Sequence, residues 1–264
     1  MPAIPYWHVD AFASAPFTGN QAAVMVYADG FPDDATMQRI GEENNFAETA
    51  FLVPHDGAEA DWHLRWFTPE LEIGLCGHAT LAAGHAMLDG GEADEVRFLT
   101  RKAGVLTVRR AGTGYEVALP LIATAPGRFE AAVDALGAAP LAVQTSPDRY
   151  NLFVYESEAA VRALVPNFKA LAALGDHQFI CTAPGAKTDV ISRVFVPGAG
   201  VDEDAVTGSA HSVLTHYWTA RLGRDSFTAH QASRRGGDLT CRLDRDVAWL
   251  GGDCVTVLEG TFRY

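Results

Sequence analysis

The stretch IGLCGHATLAAGHAM, Ile73–Met87, restricts the fold of this chain more than any other. From Ala79 to Leu88 only Thr80, Gly84 and His85 interrupt an apolar run with helical character. A helix lying on a protein surface needs one polar face, and this one has none, so it must be buried on every side. At roughly ten residues it is also too short to span a bilayer. Its first turn, behind Cys76, Gly77 and His78, then carries unpaired backbone N–H groups into the interior. Something has to meet them there.

Strands are available to cover such a helix. In the first half IPYWHVDAF, AAVMVYA, TAFLVP, WHLRWFT, EVRFLT, GVLTVRR and GYEVALP are short β-branched or aromatic runs. PLAVQTS, RYNLFVYES, DHQFICTAP, DVISRVFVP, DLTCRL, VAWLGG and CVTVLEGTF follow in the second. DDATMQRIGEENN reads as an amphipathic helix starting near Asp33 or Asp34. Two more helices are expected, at AAVRALV and GSAHSVLTHYWTARLG.

The chain also repeats itself. RWFTPELEIGLCGHA (Arg65–Ala79) matches RVFVPGAGVDEDAVTGSA (Arg193–Ala210): Arg, Phe and Pro at alternate positions, a loop, then Gly, a polar residue and Ala opening an apolar helix. Pro69 and Pro197 lie 128 apart, Gly77 and Gly208 131 apart, against 132 for half of the 264 residues. An internal duplication is expected. The fold class is α+β: two pseudo-symmetric halves, each a curved mixed β-sheet or barrel wrapped around a central apolar helix. The halves are residues 1–118 and 119–264, with the last strand, about 255–264, available to complete the first. If the halves face each other, both helix starts present free N–H groups and a positive dipole end to one cleft, an anion site. Gly77 and Gly208 would let backbone approach the ligand closely.

Charge and composition narrow the function. A net charge of −13 and a pI near 5.0 disfavour nucleic acid and anionic membranes as partners. The N-terminus lacks the basic and apolar regions of a signal peptide. The four cysteines, Cys76, Cys181, Cys241 and Cys254, form no C-x-x-C pair, so a reduced, cytoplasmic protein is expected. The spacings of His78/His85 and His211/His216 are not those of a metal site, and no metal is expected.

Three polar clusters flank the apolar helices. Glu48 in NNFAETAF enters a strand between Phe46 and Phe51, where partial desolvation suits a carboxylate to moving protons. Cys76 and His78 stand at the first helix start. In DEDAVTGSAH, Asp204 precedes a turn made by Thr207, Gly208 and Ser209, and Ser209 is either a helix cap or a ligand donor.

Taken together, TGNQAAV, NNFAETAF, RWFTPELEIGLCGHATLA, EDAVTGSAH and QASRRGGDL resemble the motif series of the PhzF-type isomerase family of phenazine biosynthesis, in order and spacing from about Pro5 to the C-terminus. The resemblance implies a diaminopimelate epimerase-like fold, no cofactor and a homodimer. Carried over residue by residue, it implies that Glu48 is the acid–base glutamate, His78 the helix-start histidine, Asp204 the acidic residue before the second helix and Ser209 a substrate ligand. Asn20, Gly77 and Gly208 complete the binding set. In the phenazine enzyme these groups move a proton between carbons of a dihydro-hydroxyanthranilate ring. Gln21 stands where many members have Pro, and Ala205 where Asp-Pro is common.

Epimerases of the same fold use two opposed cysteines. Here Cys76 is matched in the second half by Thr207, whose hydroxyl is far too weak an acid to deprotonate an α-carbon. The expected activity is therefore a cofactor-independent isomerase acting on a small carboxylate-bearing, cyclic or conjugated metabolite. An amino-acid epimerase and a non-catalytic small-anion-binding protein are the competing readings.

Overall fold

The structure is a computed structural model and describes residues 3–264. Its chain divides into two units, one running to Leu119 and completed by Gly251–Tyr264, the other Pro120–Leu250. In chain order the first unit holds β1 (Ala3–Ala11), β2 (Asn20–Val26), α1 (Asp34–Asn44), β3 (Glu48–Pro54), β4 (Trp62–Phe67), β5 (Glu72–Ile73), α2 (Gly77–Leu88), β6 (Glu95–Thr100), β7 (Val105–Ala111) and β8 (Gly114–Pro120). The second holds β9 (Ala125–Pro126), α3 (Glu130–Leu136), β10 (Ala142–Thr145), β11 (Tyr150–Val154), α4 (Glu158–Arg162), α5 (Phe168–Ala172), β12 (Gln178–Pro184), β13 (Val190–Val196), β14 (Val201–Asp204), α6 (Gly208–Leu222), β15 (Ser226–Gln231), β16 (Gly237–Asp244) and β17 (Val247–Gly252). The last strand, β18 (Cys254–Arg263), returns to the first unit and pairs antiparallel with β1.

In each unit the strands lie between helices, which explains strands that are apolar on both faces. In β3, Phe51 and Val53 pack with Met37 and Ile40 of α1. The alternate residues Ala50 and Leu52 are equally buried and point to the opposite face. There α2 packs against β1, β2, β3, β6, β7 and β18, a central helix in its own unit. In the second unit Phe153, Phe179 and Phe195 pack with Leu136, Val161 and Leu171 of α3, α4 and α5, while α6 rests on β11, β15 and β16.

Ten of the twelve residues of α2 are buried, as are ten of fifteen in α6. Several of their polar side chains survive burial by bonding within the helix or to nearby backbone. The hydroxyl of Thr80 donates to the carbonyl of Cys76, Thr215 to His211 and Thr219 to Thr215. Ser212 donates to the carbonyl of Pro120. Gly84 serves a different purpose: a Cβ there would fall 2.3 Å from Cγ1 of Val108, so its absence is what brings α2 onto β7.

The two units share one pairing scheme. β2 runs parallel to β3, β3 antiparallel to β4, β4 antiparallel to β5 and parallel to β6, and β6 antiparallel to β7. The scheme recurs with β11, β12, β13, β14, β15 and β16 in the same roles. Side chains repeat it too. Arg65 makes a two-pronged ion pair with Glu72 (2.8 and 2.8 Å) and lies over Phe67; Arg193 does the same with Glu203 (2.8 and 2.9 Å) over Phe195. The pseudo-symmetric α+β architecture expected from the repeat is the one observed.

Two helices were not foreseen, α3 and α5. Among the described residues no helix is long and apolar enough to cross a membrane.

Candidate active site

Local structure delivers the first cluster. Helix α1 ends where Asn45 turns left-handed (φ 51°), returning its N–H to the carbonyl of Gly41. Asparagine tolerates that conformation better than most residues. Phe46 and Ala47 complete the turn, and Glu48 is then the first residue of β3. Because β2 and β3 are parallel, Asn20 and Glu48 both stand at the same end of the sheet. The start of α2 brings His78 between them: its Nε2 lies 2.8 Å from Oε2 of Glu48, and its Nδ1 3.2 Å from Nδ2 of Asn20.

The pair is enclosed, with the Glu48 side chain 14 % and the His78 side chain 4 % exposed. Neither Nε2 nor Oε2 makes a well-directed hydrogen bond, although both are buried. Such atoms are costly unless something uses them. Cys76, the N-cap residue of α2, places Sγ 3.7 Å from Nδ1 of His78. Burial pushes its thiol up to about 11, helped by the charge of Glu48, so at neutral pH it is an uncharged S–H. For His78, burial opposes the charged ring, but the negative charges that Cys76 and Glu48 can carry outweigh it and hold it well above its ordinary value. With the thiol protonated, Glu48 is the partner that matters near neutral pH. In both the neutral ring accepting from Asn20 and the charged one, the proton on Nε2 faces Glu48.

Glu48, Cys76 and His78 also converge closely enough to surround a cation, their donor atoms all within 4.8 Å. Sequence spacing could not reveal this set, because the residues come from a strand and a helix start. Ligation there would take the proton from the Cys76 thiol and leave an imidazole nitrogen of His78 free.

In the second unit the start of α6 carries its own cluster. Its N-cap is Thr207, with no side-chain cap bond. Ser209 therefore does not cap the helix; it sits inside the first turn, its hydroxyl held by the side chain of buried Gln178 (3.1 Å). The hydroxyl of Thr207 donates instead to Oδ2 of Asp204 (2.6 Å). Gln231, fully buried, locks this turn: it accepts from the Thr207 N–H (2.9 Å) and donates to the Asp204 carbonyl (2.8 Å). His211 is kept neutral, its pKa lowered to about 4, chiefly by burial. Of the expected residues, Asn20, Glu48, Gly77 and His78 thus gather in the first unit, and Asp204, Gly208 and Ser209 in the second.

A family model described as phenazine biosynthesis-like protein matches residues 9–260. The chain belongs to that family. A Pseudomonas aeruginosa member, an uncharacterized isomerase, is 43 % identical over 265 residues, covering 98 % of each chain. The crystal structure of a PhzF-family phenazine biosynthesis protein from Enterococcus faecalis matches 100 % of both chains at 36 % identity and a TM-score of 0.90. A hydroxyproline epimerase from Agrobacterium vitis, 12 % identical, shares the fold with a TM-score of 0.59 over 98 % of this chain and 92 % of its own. Isomerase is thus the enzyme class of this phenazine biosynthesis-like protein and of its named relatives.

Gln178, Gln231 and the Asn44 amide, which donates to Thr49 beside Glu48 (2.9 Å), escaped the sequence reading. Gln231 opens QASRRGGDL, so its motif was visible while its role as a lock on the α6 start was not.

Proposed function

We propose that this phenazine biosynthesis-like protein moves a proton between two carbons of a small, carboxylate-bearing, cyclic or conjugated metabolite. The carrying observation is the enclosed Glu48–His78 pair, held at 2.8 Å with both facing atoms otherwise unused. The Glu48 carboxylate removes a proton from one carbon, and the electron pair left behind spreads into the conjugated system. Glu48, now protonated, returns the proton to a second carbon, so atoms and charge balance without a co-reactant. The Nε2–H of His78 orients the carboxylate and steadies its charge. Asp204 is assigned a second acid–base role. Asn20 and the main chain at Gly77 in the first unit, and Ser209 and the main chain at Gly208 in the second, are each assigned to binding the anionic substrate, a role supported by a helix start without a side-chain cap in each unit. A homodimer follows from the family resemblance, and sedimentation at micromolar concentration tests it.

The epimerase alternative needs an ionisable group in each unit. Against it stand a Cys76 thiol held neutral by burial and Thr207 in the corresponding place. The deciding experiment incubates the enzyme in deuterium oxide with a panel of small unsaturated carboxylates and with D- and L-amino acids. Deuterium entering a ring or conjugated carbon, and lost in Glu48→Gln, is expected. Exchange at an amino-acid α-carbon that survives Glu48→Gln would replace this reading by the epimerase one.

A further inference from the structure

We infer that Asp10 is a positioning residue for the Glu48–His78 pair, acting through the loop between β1 and β2. This rests on the functional reading above for its purpose, though not for its test. Asp10 lies one residue before the end of β1 and is almost completely buried, 1 % exposed. A carboxylate is an expensive group to place there unless its oxygens are used. One is: Oδ2 accepts the backbone N–H of Phe17 at 2.8 Å.

Phe17 is the unusual member of that loop. It is left-handed (φ 73°) with its ring 75 % exposed, so no packing of the ring holds the strained backbone in place. A bulky side chain in this region is a genuine outlier that surrounding structure must enforce. Phe12 (φ 57°) and Gly19 (φ 65°) are left-handed as well, and a Cβ on Gly19 would meet the carbonyl oxygen of Ala11 at 2.3 Å. The loop is thus wound tightly, and it ends on Asn20, whose amide meets Nδ1 of His78.

A second line runs from the same carboxylate. Its Oδ1 lies 3.8 Å from Nε2 of His8, which also meets Nε2 of Gln21 at 3.2 Å. The His8 ring stacks on Phe46, centroids 4.2 Å apart, and Phe46 stands two residues before Glu48. Asp10 therefore holds the loop that delivers Asn20 and lies beside the His8 ring that stacks under the turn delivering Glu48. A core filler would need neither contact.

The test reads the imidazole itself, by the side-chain ¹⁵N and ¹H resonances of His78 at fixed pH, with those of His211 as a control on the fold. Asp10→Ala should shift or broaden the His78 signals in the sense given by Asn20→Ala, leaving His211 unmoved. Asp10→Asn, which keeps an acceptor for the Phe17 N–H, should retain most of the wild-type pattern. Asp10→Ala combined with Phe17→Gly should recover part of it, since glycine takes a positive φ without strain. Wild-type His78 resonances in a folded Asp10→Ala protein would overturn the proposal. So would a double variant no nearer to wild type than Asp10→Ala, the outcome of a purely structural role. If Asp10→Ala does not fold, Asp10→Ser, whose shorter side chain falls short of the Phe17 N–H, carries the same expectation at His78, and an unchanged ring there overturns the proposal equally. An active Glu48→Gln enzyme would sink the functional reading alone and leave this assignment standing.

Discussion

Nε2 of His78 and Oε2 of Glu48 face each other at 2.8 Å although their residues lie on a helix start and a strand start, thirty positions apart in the chain. Glu48→Gln preserves the shape of this contact but cannot accept a proton. It should fold and bind ligand while kcat falls by about 10²–10⁴, more than KM changes. Cys76→Ala should keep most of the activity, its thiol being neutral. Steady-state kinetics of the two variants, on whichever carboxylate shows deuterium exchange, decide the matter; the opposite ranking would hand the chemistry to the thiol.

Gly77 and Gly208 open α2 and α6 and are both buried. Gly77→Val and Gly208→Val should each weaken binding of a substrate-like carboxylate roughly tenfold, the scale of a charge held at a helix start. His78→Ala should weaken binding less than it slows turnover. Calorimetric titration of folded variants measures this, and normal affinity in both valine variants would place the anion elsewhere.

His211 supplies a pH prediction with a definite sign. Burial, reinforced by nearby His230, lowers its pKa to about 4 against the opposing pull of the Thr207 carbonyl. Unfolded, it titrates near 6.5, so between those values the unfolded chain binds the extra proton. Stability is therefore fully present above about pH 6.5 and declines as the pH falls toward 4, by up to about 3 kcal/mol from this group. Urea melts at several pH values should show a shallower acid slope in His211→Asn than in wild type; equal slopes would contradict the assignment.

The contact of α2 with β7 depends on a missing side chain. Gly84→Leu forces carbon into the space of Val108, where even a Cβ would lie 2.3 Å from Cγ1. A destabilisation of about 1–3 kcal/mol is expected, typical of overpacking. Thermal or denaturant unfolding should show it, and Val108→Ala in the same chain should return part of the loss.

How much of this was readable beforehand depends on the range of each interaction. The burial of α2 was evident because a helix without a polar face has nowhere else to go, and the duplication because Arg65–Ala79 and Arg193–Ala210 preserve their pattern. Burial of Thr80, Thr215 and Thr219 became intelligible only when their hydroxyls were seen to turn back on the helix. Ser209 looked like a cap because serine commonly is one; the N-cap fell two residues earlier, on Thr207. The roles of Gln178 and Gln231 carried no signal, even though Gln231 opens a visible motif, since an amide acquires its role from partners 31 and 24 residues away. Asp10 was hidden in the same way, within a run that read simply as a strand.

The pairing of β18 with β1 also has a consequence in time. Ala3–Ala11 is made before its partner Cys254–Arg263, and the whole of Pro120–Leu250 is made between them. At about 5–20 residues per second, that interval is on the order of tens of seconds. Throughout it one edge of β1 stands open, while the second unit can already close on itself. The nascent chain must therefore shelter an unfinished edge until Cys254–Arg263 arrives, and a ribosome stalled within that strand would release a product whose Pro120–Leu250 unit is complete and whose other unit is not.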